Sequence, residues 1–250
     1  MRYIILGSTS FVGKSLIQNL RDRNEEVITL NSTTINFLDE ATFINYTPLN
    51  GDLIIDCIAR IDGVKDKIYQ TNVYGLQNFL DYLNLNNTNY SYIYISTIST
   101  LDSTIIIKND YVNSKFQAER IVESHARNFK IVRLVFPFGY GESPNRLISK
   151  LIQRIKNNEV LSVANVILNL TPILFLSDNF LSIIQSSKTH LNISSEVELS
   201  LIDIVEFIKL EVDSTSTINI SNEHETLTIK SDINLNCKES DIYGAISEML

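Results

Sequence analysis

Five short apolar runs, set apart by longer segments of helical spacing, limit most sharply how this chain can fold. The runs cover residues 3–6, 27–30, 53–58, 90–95 and 130–135, and the spacing between them predicts helices over 11–22, 66–83 and 111–127. Strands separated by helices argue for an α/β fold with a parallel sheet covered on both faces and right-handed crossovers. Past Pro137 the texture changes. A Gly/Pro-rich loop, FPFGYGESPN, leads into shorter, mixed elements that predict a smaller lobe, and the polar segment 213–225 reads as a mobile connection.

Charge and composition remove several classes of function. A net charge of -8, with a pI near 4.9, gives no footprint for nucleic acid or anionic lipid. The most apolar stretch, LTPILFL from Leu170, is too short to span a bilayer, and no leader-like segment opens the chain, so a cytoplasmic protein is expected. Cys57 and Cys237 lack metal-ligand spacing, which fits a reduced compartment and predicts no metal.

The first run ends in GSTSFVG, residues 7–13, at the mouth of the first helix. A strand that closes on glycine and opens a helix offers backbone amides and a positive helix end to an anion such as a pyrophosphate. Gly7 and Gly13 take the outer places of a dinucleotide fingerprint, while Ser10 stands where a middle glycine is usual. Its hydroxyl either caps the helix or meets a phosphate oxygen. After the second strand the chain reads ITLNSTT, so Asn31, Ser32 and Thr33 replace the carboxylate that favours NAD. NADP(H) is therefore favoured over NAD(H), though no arginine follows to grip a 2'-phosphate.

Tyr111 and Lys115, in YVNSK, stand four residues apart on one helix face. They follow the strand YSYIYIST, which closes on the hydroxyls Ser96 and Thr97 at the sheet edge where ligands bind. Together with INFLD, DLIIDCIA, TNVYGLQNFL, IVRLVFPFGYG, FLSDNF, HLNIS and DIYGAISEML, these segments resemble the nucleotide-sugar-modifying, epimerase/dehydratase-like branch of the extended short-chain dehydrogenase/reductase family. The resemblance spans nearly the whole chain. It implies a Rossmann-type doubly wound parallel sheet with a small carboxyl-terminal substrate lobe. Residues 1–165 would form mainly the dinucleotide domain and 166–250 mainly the lobe, with crossings of the chain allowed and the site enclosed between the two. A homodimer built through two helices is also implied.

By the same resemblance Tyr111 is the catalytic acid/base, Lys115 holds the nicotinamide ribose and Thr97 bonds the reacting sugar oxygen. Gly7, Ser10, Phe11, Val12 and Gly13 would hold the cofactor, with Asn31 and Ser32 at its ribose and Asn36 and Phe37 near its adenine. Ala59 and Pro137 would line it, and Asn72 would support the active-site network. Thr97, Ile98, Tyr111 and Phe138 would face the sugar. Arg146 is a candidate for two-pronged contact with the substrate diphosphate, and Lys150 or Arg154 is either a further candidate for it or part of a solvated helix face.

Bringing a phenol from a pKa of about 10 to near neutrality takes roughly 4 kcal/mol of preferential phenolate stabilisation, much of which an adjacent ammonium can supply. Ile98 and Ser99 follow Thr97 in place of the acidic pair of the family's sugar dehydratases. Cys57, His125, His190 and His224 do not fall where the epimerase-reductases that make GDP-fucose keep their proton-transfer pair. What remains is hydride transfer with one acid/base. The leading expectation is NADP(H)-dependent reduction, at C4, of a nucleotide-diphosphate-linked deoxysugar for surface polysaccharide; the runner-up is a C4 epimerase using bound NAD. From another class, a nonenzymatic NADP(H) sensor ranks below both, because the chain keeps Tyr111, Lys115 and Thr97. The stretch from Thr97 to Tyr111 is short, which predicts a trimmed pocket.

Overall fold

The computed structural model of the protein describes residues 1–61, 63–86 and 88–250. The chain begins with β1 (Arg2–Leu6), α1 (Phe11–Asp22), β2 (Glu26–Leu30), a 3-10 turn (Glu40–Asn45) and β3 (Leu53–Asp56). A long helix follows in three parts: α2 (Lys65–Tyr69), a π-helical segment (Gln70–Gly75) and α3 (Leu76–Leu85). Then come β4 (Ser91–Thr97), a second 3-10 turn (Ile98–Leu101), α4 (Ser103–Lys108), α5 (Asp110–His125) and β5 (Asn128–Leu134). The remainder comprises β6 (Pro137–Phe138), α6 (Leu147–Lys156), β7 (Leu161–Asn169), β8 (Thr171–Pro172), α7 (Ile173–Asp178), α8 (Phe180–Gln185) and β9 (His190–Ile193). It closes with β10 (Glu198–Ser200), α9 (Leu201–Glu211), β11 (Ile218–Leu227) and α10 (Glu239–Ser247). The chain divides into two units, Met1–Arg133 with Gln185–Leu191, and Leu134–Ile184 with Asn192–Leu250.

The main sheet has six strands in the order β2-β1-β3-β4-β5-β9. Parallel pairing sets Ile4 beside Ile28 on one side and Ile54 on the other, and Ile55 beside Ile93. This is the expected α/β architecture, and its strand order reverses between β1 and β3. At such a point the loops leaving two neighbouring strands turn to opposite faces and open a crevice at their carboxyl ends. The last four residues of β1 and all of β3 are buried, which is why these strands are apolar but for Asp56.

In the first unit the core beneath the helices includes Ile54, Phe79, Leu80, Tyr92 and Ala118. Phe37, Phe43 and Phe79 pack ring against ring, with centroids 5.2–6.2 Å apart. Their packing requires a glycine in the π-helical segment: a Cβ on Gly75 would lie 2.3 Å from the Phe37 carbonyl oxygen.

The second unit has its own core, with Ile152, Leu161, Leu168, Ile204 and Ile242 among its members. Its three-stranded sheet runs β10-β7-β11. Here one expectation is corrected. Most of the segment taken for a polar connection is β11, paired in parallel with β7 from Ile218 beside Leu161 to Leu227 beside Leu168, with a register shift between Ile220 and His224. The side chains of this edge strand are almost all exposed, so no apolar alternation betrays it. Backbone hydrogen bonds to β7 hold it instead.

Replacing Gly75 by Ala is expected to cost about 1–3 kcal/mol, the usual range for overpacking a tight contact. A urea midpoint unchanged from wild type would show that the Phe37 backbone yields freely.

Candidate active site

The turn after β1 is shaped by two glycines acting on different neighbours. Gly7 has φ +68°, and a Cβ there would stand 3.0 Å from the backbone of Cys57 and Ile58 beyond β3. Gly13 lies in α1, where a Cβ would come within 2.6 Å of the Gly7 carbonyl and 2.9 Å of Ser10 Oγ. Ser10 caps the helix, its Oγ accepting from the Gly13 amide at 3.1 Å. The serine at the middle position thus serves the turn itself. Phe11 is half-buried and Val12 buried behind it. The turn stands at the amino end of a twelve-residue helix, whose unpaired amides and positive end fit a dinucleotide diphosphate.

At the end of β2, Asn31 Oδ1 accepts from the Thr33 amide at 2.9 Å and the Thr33 hydroxyl at 2.6 Å, closing a turn of polar, uncharged side chains with Ser32 exposed at its tip. Asn36 Oδ1 accepts from the Leu38 amide, and Phe37 is buried in the core. Ala59 is exposed beyond β3.

The other wall is α5. Asn109 caps it, accepting from the Val112 amide at 3.2 Å. Its buried face carries Ser114, Lys115 and Glu119 among Val112, Ala118 and Val122. Three polar groups on a core-facing stripe need partners, and each has one. Lys115, 1% exposed, donates from Nζ to the Ile95 carbonyl at 2.7 Å and lies 3.9 Å from the centre of the Tyr94 ring. Burial lowers its pKa to about 8, while Asp56, Glu119 and Cys57 pull it upward. The side chain stays cationic at neutral pH. Burial raises the Asp56 carboxyl, opposed by Lys115 and by hydrogen bonds from the Tyr92 hydroxyl and the Ile58 amide, each at 2.8 Å.

Glu119 accepts from Ser96 Oγ at 2.6 Å, from Thr100 Oγ1 at 2.9 Å, and from both Nε and Nη2 of Arg133. Thr100 Oγ1 also approaches the Thr97 carbonyl at 2.9 Å. The carboxylate therefore anchors the chain on both sides of Thr97, whose own Oγ1 accepts from the Ser99 amide at 3.4 Å. Thr97, Ile98 and Tyr111 are half-buried. From the π-helical segment, buried Asn72 donates to Ser114 Oγ at 2.9 Å, and Ser114 donates to the Tyr111 carbonyl at 2.7 Å.

The remaining expected site residues belong to the second unit. Arg146 is the residue before α6 and donates from Nη1 to the Pro137 carbonyl at 2.7 Å. Phe138 is 2% exposed within the core cluster of that unit. Arg154 bonds Glu159 at 2.8 Å. Among the described residues no cluster of three or more His, Cys, Asp or Glu could hold a metal ion, and no helix is long and apolar enough to cross a membrane.

The profile of the NAD dependent epimerase/dehydratase family matches residues 3–178, and the chain belongs to that family. The low-salt glycan biosynthesis protein Agl12 of Haloferax volcanii is 26% identical over 253 aligned positions, spanning 83% of this chain and 81% of that protein. The structure of Thermus thermophilus UDP-glucose 4-epimerase in complex with NAD matches with a TM-score of 0.75 at 11% identity, covering 100% of this chain and 99% of that one. That of Bacillus anthracis dTDP-4-dehydrorhamnose reductase in complex with NADP matches at 0.71 and 20% identity, covering 88% and 83%. At these identities the likeness to the two structures is one of fold.

Sequence reasoning passed over Asp56, Glu119 and Arg133. Each left a signal: a charge inside or closing an apolar strand run for Asp56 and Arg133, and for Glu119 the next place on the stripe of Tyr111 and Lys115.

Two outcomes follow from this geometry. Glu119→Gln leaves the buried Arg133 guanidinium without its counter-charge and is expected to cost about 3–5 kcal/mol, read from urea denaturation. Lys115 binds its proton less tightly folded than unfolded. Its contribution to stability therefore rises as pH climbs from about 8 toward the free-lysine value. Lys115→Met should flatten that rise; parallel curves for the two proteins across this window would contradict the assigned burial.

Proposed function

We propose that the protein reduces the keto group, at C4, of a nucleotide-diphosphate-linked deoxysugar with NADPH, in the synthesis of a surface-polysaccharide precursor. The observation that carries this reading is the buried Lys115 ammonium, bonded to the carboxyl end of β4 one helical turn below Tyr111 and two residues before Thr97. A bound nicotinamide supplies the hydride. The Thr97 hydroxyl holds the ketone oxygen, and Tyr111 gives that oxygen its proton as the carbon is reduced. The Lys115 cation favours the phenolate that Tyr111 leaves behind.

The absence of an acidic pair after Thr97 supports reduction over dehydration. The uncharged turn at Asn31, Ser32 and Thr33 supports NADPH, because no carboxylate there repels a 2'-phosphate. The glycan-biosynthesis name of the Haloferax relative supports the setting.

The test follows NADPH oxidation with a panel of nucleotide-linked 4-keto-6-deoxysugars. Wild type should turn over at least one. Tyr111→Phe should be slower by about 10²–10⁴-fold, the usual contribution of a positioned acid, with NADPH affinity retained. No turnover across the panel would defeat the proposal.

A further inference from the structure

Arg60 lies just beyond β3 and has no part in the site as described so far. One side chain holds both of its backbone groups: Asn72 Oδ1 accepts from the Arg60 amide at 2.7 Å, and Asn72 Nδ2 donates to the Arg60 carbonyl at 2.9 Å. Asn72 is 4% exposed and bonds Ser114, which bonds the Tyr111 carbonyl. Arg60 is thereby tied to the first turn of α5. On the other side, the backbone at Cys57 and Ile58 abuts Gly7 so closely that a Cβ would stand 3.0 Å away. Arg60 follows two residues after Ile58. The loop that carries Arg60 therefore leaves β3 beside the glycine turn, where the strand order reverses between β1 and β3.

Its guanidinium lies against a neighbouring glycine. The nearest atoms to a Cβ built on Gly63 are Arg60 Nε at 3.6 Å and Nη2 at 3.7 Å, so the head group lies along that glycine. Nε is buried, with no hydrogen-bond partner among the described residues. A buried donor without an acceptor is unfavourable, and a guanidinium cannot relieve this by losing its proton. An arriving anion with several acceptor oxygens can, and a planar fork suits a phosphate.

We propose that Arg60 binds a diphosphate, that of the nicotinamide dinucleotide seated on the Gly7 to Gly13 turn. The inference rests on the reading that this turn takes such a cofactor. A nucleotide sugar carries the same chemistry, but the glycine turn that touches the end of β3 favours the dinucleotide. The 2'-phosphate of NADP would lie by β2, two strands from β3 and about 10 Å away. Arg60 thus serves NADH and NADPH alike.

The experiment titrates wild type, Arg60→Gln and Arg60→Lys with NADH and with NADPH by nicotinamide fluorescence, and with UDP and dTDP by calorimetry. Arg60→Gln should weaken both dinucleotides by the same factor, about tenfold or more, and leave UDP and dTDP unchanged. Arg60→Lys, which keeps the charge but loses the Nε donor, should fall between. Matching urea midpoints establish that the variants are folded, and Arg60→Lys carries the test if Arg60→Gln is not. Unchanged dinucleotide affinity in folded variants overturns the inference alone. A loss confined to UDP and dTDP, or to NADPH, overturns it by moving the arginine to the sugar nucleotide or to the 2'-phosphate. A wild type that binds neither dinucleotide overturns the cofactor reading itself.

Discussion

Glu119 lies under α5 with the Arg133 guanidinium on both of its oxygens and the hydroxyls of Ser96 and Thr100 on one of them. A buried pair of this kind adds little net stability over a well-packed apolar one, because both ions lose their water. What it does is fix position. If α5 slid along β4, a full charge would be left without its partner in a dry interior. The helix is therefore held at one height, and Lys115, one turn closer to its amino end, meets the Ile95 carbonyl. Tyr111, one turn further, comes to the carboxyl edge of the sheet, as does Thr97 at the end of β4.

The glycine turn answers to a different constraint, the space between backbones. Gly7 faces the chain leaving β3, and Gly13 faces the Gly7 carbonyl, so the two glycines are required by contacts of the turn with its own neighbours. Ser10 needs no such freedom. Its φ of -70° and ψ of 160° suit any residue, and its hydroxyl replaces a lost amide partner at the helix start. The serine is thus compatible with the turn at no backbone cost.

Between these two walls runs a chain of hydrogen bonds from Arg60 through Asn72 and Ser114 to the Tyr111 carbonyl. Asn72 belongs to the π-helical segment, an irregularity often found at functional sites. The same segment contains Gly75, whose missing side chain admits the Phe37 backbone. A local departure from α-helical geometry therefore couples the loop after β3 to the helix that carries Tyr111.

Most of the first unit was legible in the residues: the alternating runs, the glycine turn and the Tyr111–Lys115 spacing are local patterns, and local patterns follow from backbone sterics and side-chain period. The short helix α4 and the strand β11 were not legible, since the one buries no side chain and the other is exposed on both faces. Nor were the partners of Asp56, Glu119, Arg133 and Arg60. A buried charge is recognised by what surrounds it, and its surroundings come from segments far along the chain: Asp56 meets Tyr92, and Glu119 meets Arg133. The sequence by itself determined which residues form strands, which turn closes on glycine at the mouth of a helix and which helix carries the phenol and the amine. Only the tertiary structure decided which charges are paired in the interior, because hydrogen bonding and desolvation depend on distances that no spacing along the chain encodes.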